Sequence, residues 1–334
     1  MNNDVIYLPF LEVDSLTVDY RTRRGNIRAV NNVSFTLEKG ETLGLVGESG
    51  SGKSTLGLSV IRLVPPPGVI VNGHIRIDGT DILSLSDEEM RSIRGKKVGF
   101  VFQDPMTSLS PVKRVEAHFV ELIRTHEPDV SEREALERAR KALNDVGILP
   151  ERINDYPHQF SGGMRQRIMI ALAIALNPDL VIADEPTTAL DVIVQAKILD
   201  LLKSLRNTYG MALTLITHDL SIVLERCDKI IVIYAGSLVE YATSRELHRN
   251  PRHPYTQGLL QSIPNVELTE QRLEAIPGSP PDLLNPPKGC RFWLRCSKGE
   301  EKCCNEEPPI VESSPGHFVR CFREAHNPER NRKR

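Results

Sequence analysis

A short apolar run that breaks into a glycine loop and resumes as a helix constrains this chain more than any other feature. Thr42-Leu43-Gly44-Leu45-Val46 leads straight into Gly47-Glu48-Ser49-Gly50-Ser51-Gly52-Lys53-Ser54, which fits G-x-x-x-x-G-K-[ST]. From Ser54 and Thr55 to Leu63 the pattern is helical, and Pro65-Pro66-Pro67 closes it. Glycine lets such a loop turn its N–H groups inward without Cβ clashes, so loop and helix N-terminus together cradle phosphate oxygens. Lys53 then supplies a point charge at the β- and γ-phosphates of a nucleoside triphosphate, and Ser54 offers a hydroxyl to Mg²⁺. The strand–loop–helix setting is what separates this motif from an ordinary glycine-rich turn.

Leu180-Val181-Ile182-Ala183 and Ala212-Leu213-Thr214-Leu215-Ile216 are further continuous apolar runs, with a helix expected over Asp191 to Tyr209 between them. Lys229 to Tyr234 reads as one of the last strands, while Leu11 to Tyr20 and Val33 to Leu37 carry β-type patterns on either side of a turn near Gly25. Strands buried on both faces and alternating with helices predict a mostly parallel α/β sheet. A capping box, Ser131 with Glu134, opens an amphipathic helix inside a helical insertion at roughly 104–175.

Two further constellations bear on chemistry. Asp184-Glu185 ends an apolar strand, where ligands bind in open α/β sheets. Asp184 suits Mg²⁺ through water, and Glu185 suits polarising an attacking water. Ser161-Gly162-Gly163 precedes a helix expected over Met164 to Leu176, so its N-terminus could face a phosphate. By itself Ser-Gly-Gly is an ordinary loop signal.

Composition narrows the class. The chain has 334 residues, 26% of them charged, with a formal net charge of -2. Near-neutrality gives no electrostatic footprint for nucleic acid, and the basic run Arg330 to Arg334 reads as a solvated tail. No apolar stretch approaches ~18 residues, and Met1-Asn2-Asn3-Asp4 lacks the basic start of a secretion signal. The expectation is a chain that neither spans a membrane nor is secreted. Five of six cysteines fall between Cys290 and Cys321, and 12 of 23 prolines from Pro251 onward. So proline-rich a segment is expected to need a staple, and disulfides do not suit a cytosolic chain. Cys227 reads as a buried core thiol.

Over residues 11–240 these motifs, in this order, resemble the nucleotide-binding subunits of ABC transporters. The resemblance implies a P-loop ATPase domain over 1–240 that binds Mg-ATP. Tyr20 matches the aromatic that stacks on adenine. Gln103 matches the glutamine linking Mg²⁺ and water to the permease contact. Phe160 to Met164 match the signature, with Phe for the commoner Leu and Met for the commoner Gln. Ala189-Leu190-Asp191 match the D-loop, and His218 the switch histidine at the γ-phosphate. Thus Gln103, Glu185 and His218 carry hydrolysis, Ser54, Gln103 and Asp184 serve Mg²⁺, and the 47–55 loop binds ATP. In that family the signature of one subunit, here Ser161, Gly162 and Gly163, completes the site of another.

A narrower resemblance is to the di/oligopeptide branch of importers, which includes nickel importers. It rests on Gln103-Asp104-Pro105-Met106-Thr107-Ser108-Leu109, Ala189 to Gln195, and His253-Pro254-Tyr255-Thr256 ahead of Leu259-Leu260. Ser110 stands where Asn is expected. The branch implies a small Pro/Cys-rich domain over 241–334 in which Cys290, Cys296, Cys303 and Cys321 hold a [4Fe-4S] cluster. Their gaps of five, six and seventeen residues lack the tight pairs of zinc ribbons, yet a Cys₄ set also suits zinc. Cys304 is the spare. The implied partners are a second ATPase subunit, identical or sister, two permease subunits at the cytoplasmic face of the membrane and, indirectly, a peptide-binding protein. The alternative class is an ABC ATPase of DNA repair or translation. One glycine loop and no long heptad run weigh against it.

Overall fold

The computed structural model describes residues 8–188, 190–263 and 275–325, and of Met106 and Thr107 only the backbone. The chain is α/β and divides into two compact units. The first holds 8–10, 37–41 and 81–216; the second holds 11–36, 42–80 and the described residues from 217 onward.

In the first unit, strands Val98–Val101, Leu180–Asp184 and Ala212–Thr217 run parallel, pairing Val98 with Leu180 and Leu180 with Ala212. The last two are buried at every position, as their unbroken apolar sequence requires of strands covered on both faces. Between Val101 and Leu180 every described element is helical: Pro105–Ser108, Val115–His126, Glu132–Asp145, two 3₁₀ turns and Gly162–Ile174. Helix Glu132–Asp145 buries Ala135, Ala139, Ala142 and Leu143. Ser131 caps it by accepting from the Glu134 N–H at 3.2 Å. The reciprocal half of the expected capping box is not among the hydrogen bonds of Ser131. A complete box instead opens helix Asp87–Ile93, where Ser86 and Glu89 bond each other both ways. Helix Val192–Tyr209 starts on Asp191, which accepts from the Val194 N–H, and stops at Gly210 in the left-handed region.

The second unit has two sheets. One runs in the order Gly25–Leu37, Leu11–Thr22, Gly68–Ile77, Thr80–Asp81, with Leu11–Thr22 antiparallel to Gly68–Ile77. In the other, Thr42–Val46 lies parallel to Lys229–Tyr234, from Leu43 opposite Lys229 to Val46 opposite Val232. That strand turns through Ala235-Gly236, both at positive φ, into antiparallel Ser237–Thr243. Beyond it the sheet gains His317–Arg320 and Ile310–Ser314. The proline-rich tail was expected to owe its order to a staple; it is also ordered by ladder pairing, with Glu240 opposite Val319.

Candidate active site

The glycine loop lies in the second unit and joins strand Thr42–Val46 to helix Lys53–Val60. Its glycines answer to crowding and to backbone sign. A Cβ on Gly47 would stand 2.1 Å from the Ile233 carbonyl oxygen, and one on Gly52, at φ +100°, 2.0 Å from that of Ala29. The loop is thus pressed against backbone on one side, leaving the other for a ligand. Lys53 is buried, and its Nζ donates to the Gly47 and Glu48 carbonyls at 2.9 and 3.0 Å. Ser51 Oγ is buried and has no hydrogen-bond partner among the described residues. A tight cradle, a buried ammonium and an unpartnered hydroxyl fit a polyphosphate.

Other expected groups of this unit sit close to that helix or at a strand end. Tyr20 Oη is 3.2 Å from Thr55 Oγ1, and its ring edge lies against Gly68. Ser54 occupies the first turn of helix Lys53–Val60. His218 is exposed just after strand Ala212–Thr217, next to Asp219, which caps helix Leu220–Arg226.

The first unit holds the carboxylates. Asp184 is buried at the end of its strand. Glu185 follows at φ +43°, a left-handed conformation that costs a β-carbon residue about 1–3 kcal/mol and concentrates at functional sites. Its N–H donates to Ile216 O at 2.9 Å, which fixes the turn. Its Oε2 accepts from Gln103 Nε2 at 3.1 Å and from Thr188 Oγ1 at 3.0 Å. Gln103 and Glu185 are therefore brought within hydrogen-bond distance of each other. Hydroxyl, amide and carboxylate oxygens such as those of Ser54, Gln103 and Asp184 are the donor chemistry Mg²⁺ prefers.

Ser161 caps helix Gly162–Ile174 by accepting from the Met164 N–H at 3.4 Å. Gly163 is needed for close packing, since a Cβ there would meet Val194 at 2.7 Å. The unusual Phe160 and Met164 share one neighbour. The Arg152 guanidinium lies 4.1 Å from the centre of the Phe160 ring, and its Nη1 donates to the Met164 thioether Sδ at 3.8 Å. Ala189 of the expected D-loop and the tail Arg330 to Arg334 lie outside the described residues.

Cys290, Cys296, Cys303 and Cys321 occupy one neighbourhood of the second unit, where Cys290 N–H donates to Cys303 O at 2.8 Å. Burial pushes the Cys290 thiol up to about 12, with the other three thiols adding to it. Burial raises Cys296 and Cys321 as well. The expected shared metal centre is corrected on one point: among the described residues no three His, Cys, Asp or Glu side chains are arranged to hold an ion. Burial disfavours the thiolate form at Cys290, Cys296 and Cys321, and metal and thiolate geometry form together. The donor chemistry suits a metal, whereas the arrangement is not a coordination shell. Cys227 is buried, as expected.

Three contacts were missed from sequence. Tyr255 Oη accepts from the Glu48 N–H at 3.1 Å, and Arg295 Nη1 holds the Glu48 carboxylate at 3.0 and 2.8 Å. Glu240, fully buried, accepts from the Arg252 and His253 N–H groups and stands 2.7 Å from His317 Nε2. His253-Pro254-Tyr255 marked a resemblance, but nothing local announced that it touches the loop.

Fold and groups together define a P-loop ATPase of the ABC kind, and comparison with known proteins agrees. The ABC transporter profile matches residues 30–188, and that of the oligopeptide/dipeptide transporter C-terminal region matches 239–303. The oligopeptide transport ATP-binding protein OppD of Bacillus subtilis is 49% identical over 316 residues, covering 93% of this chain and 88% of that protein. The dipeptide transport ATP-binding protein DppD of Lactococcus lactis is 47% identical, over 93% and 90%. Among solved structures, the dimeric post-hydrolysis state of the ATP-binding cassette MJ0796, bound to ADP and Pi, is 30% identical with a TM-score of 0.63. It covers 70% of this chain and 99% of its own. The chain belongs to the ATP-binding proteins of the ABC transporter family, and its activity is ATP hydrolysis coupled to transport.

Proposed function

We propose that the chain is the ATP-hydrolysing subunit that powers import of di- or oligopeptides, working at the cytoplasmic face of a membrane with two permease subunits and a second ATPase subunit. Relatives of nearly equal length named as oligopeptide and dipeptide transport proteins support peptides over nickel and over DNA repair or translation. Among the described residues no helix is long and apolar enough to cross a membrane, in keeping with a peripheral subunit. The dimeric relative supports a paired assembly, in which Ser161, Gly162 and Gly163 would meet the partner's nucleotide.

Each residue has a distinct task in this reading. Tyr20 stacks on the adenine. The N–H groups of 47–55 and the Lys53 ammonium hold the phosphates. Ser54, Gln103 and Asp184 would hold Mg²⁺, which neutralises charge on the phosphate oxygens. Glu185 takes the proton of the attacking water, oriented by Gln103 and Thr188, and His218 reads the γ-phosphate. The 1–240 and 241–334 division is kept as a functional one, an ATPase part and a transporter-specific part.

The observation that carries the reading is the Glu185 carboxylate on a left-handed turn, 3.1 Å from Gln103. Lys53→Ala tests it. ATP binding should fall beyond detection at ordinary nucleotide concentrations, with the circular dichroism spectrum unchanged. Near-normal turnover in an assembled transporter, with every site so altered, would contradict it.

For Cys290, Cys296, Cys303 and Cys321 the reading is a structural metal staple, an iron–sulfur cluster with zinc as the alternative. Its support is the shared neighbourhood of four thiols. Iron, sulfide and zinc assays on anaerobically purified protein test it: iron and sulfide in equal amounts support the cluster, zinc alone replaces it, and no metal refutes both.

A further inference from the structure

Glu48 is the second residue of the phosphate loop, yet residues more than two hundred positions away hold it. Its N–H donates to Tyr255 Oη, and its carboxylate receives Arg295 Nη1 on both oxygens. The Arg295 side chain is 7% exposed, so this pair is far less screened than a surface ion pair. Arg295 is fixed in turn. Its Nε donates to Pro277 O at 2.8 Å and its Nη2 to Ile276 O at 3.3 Å, while Nη1 also reaches Tyr234 Oη at 3.3 Å. The turn carrying it is pinned by Phe292, whose ring lies 5.1 Å from that of Tyr234 and 5.4 Å from that of Tyr255. Both neighbours of the loop residue thus belong to one aromatic cluster, and Arg295 directly precedes Cys296.

The backbone at Glu48 matters for phosphate. Its carbonyl accepts from Lys53 Nζ and from the Ser51 N–H, so a shift at Glu48 moves the ammonium and the turn after it. We infer that Arg295 is a positioning residue for the nucleotide: by clamping Glu48 it fixes the phosphate loop, so the cysteine-bearing tail sets ATP affinity. This rests on the loop being the ATP site. Removing Arg295 leaves an uncompensated anion beside the loop, and breaking the pair from either side frees the backbone at Glu48; each opposes phosphate binding.

The test uses the full chain in the assembled transporter, with Arg295→Met, Glu48→Gln and the exchanged pair Glu48→Arg with Arg295→Glu. Binding of a fluorescent ATP analogue and the KM and kcat for ATP are measured, with Lys53→Ala as control. Each single variant should raise Kd and KM about tenfold, the scale of one charge-assisted hydrogen bond. Arg295→Met should leave kcat at saturating ATP within about twofold, since Arg295 touches no reacting atom. The exchanged pair should bind ATP better than either single variant. Glu48→Gln alters no residue of the tail and so covers the case in which Arg295→Met disorders it. Wild-type KM in Glu48→Gln, or a fall in kcat with KM unmoved, overturns the inference while leaving the ATP site standing. Equal ATP binding by wild type and Lys53→Ala would instead overturn the loop assignment itself.

Discussion

Glu185 and Glu240 place the same carboxylate in opposed surroundings. Glu240, in strand Ser237–Thr243, is fully buried and bonded on both oxygens, by two backbone N–H groups and His317. Glu185 is half-buried, on a left-handed turn, with Oε2 accepting from two side chains that can rotate away, Gln103 and Thr188. A carboxylate whose oxygens are spoken for by rigid donors cannot exchange them for a water. One held by movable donors at a strained turn can. The first anchors the tail to the sheet; the second is kept for chemistry.

The comparison breaks first on stability. Glu240→Ala strips a buried and a partly buried N–H group and a buried imidazole, whose other nitrogen has no partner among the described residues, of their acceptor. It should cost about 3 kcal/mol or more, read as a drop in the urea midpoint. A loss under about 1 kcal/mol would make the Glu240 network incidental.

His253 sharpens the same contrast through pH. Burial holds its imidazole neutral, with its pKa down at about 4 from an ordinary 6.5, although Glu240 works against the shift. Its Nδ1 accepts from the Tyr255 N–H at 3.1 Å, capping helix Pro254–Gln261, which a protonated ring could not do. A folded pKa below the unfolded one means that the unfolded chain binds the extra proton between pH 6.5 and 4. Stability is therefore complete above pH 6.5 and falls as the pH drops through that window. His253→Asn keeps a capping side chain and removes the titration. Between pH 7 and 5 the wild type should lose about 2 kcal/mol more than this variant, by urea unfolding. Parallel losses would put the acid sensitivity elsewhere.

What could be read in the sequence followed periodicity and local motif. Thr42–Val46 and Lys229–Tyr234 run as read, because a strand covered on both faces leaves an unbroken apolar signature. Glu185 was read from its place at the end of an apolar strand and Gln103 only through family resemblance, and their 3.1 Å approach spans 82 positions no local pattern could link. The tail was the harder part. Its hairpin, Ile310–Ser314 with His317–Arg320, sits among prolines and charges that mask the two-residue period. Arg295 looked like one more arginine beside a cysteine; only the fold sets it against Glu48. The thiols were legible as a set, but spacing along the chain says nothing of how closely side chains approach.

The division of labour between the two glutamates is tested most directly by Glu185→Gln in the assembled transporter, with ATP binding and single-turnover hydrolysis measured on one preparation. The amide keeps the shape but cannot take a proton. Hydrolysis should fall about 10²- to 10⁴-fold, with ATP bound as tightly as in the wild type and pairing with the second ATPase subunit prolonged. Hydrolysis at the wild-type rate would contradict the account and move the catalytic role to another residue, His218 first.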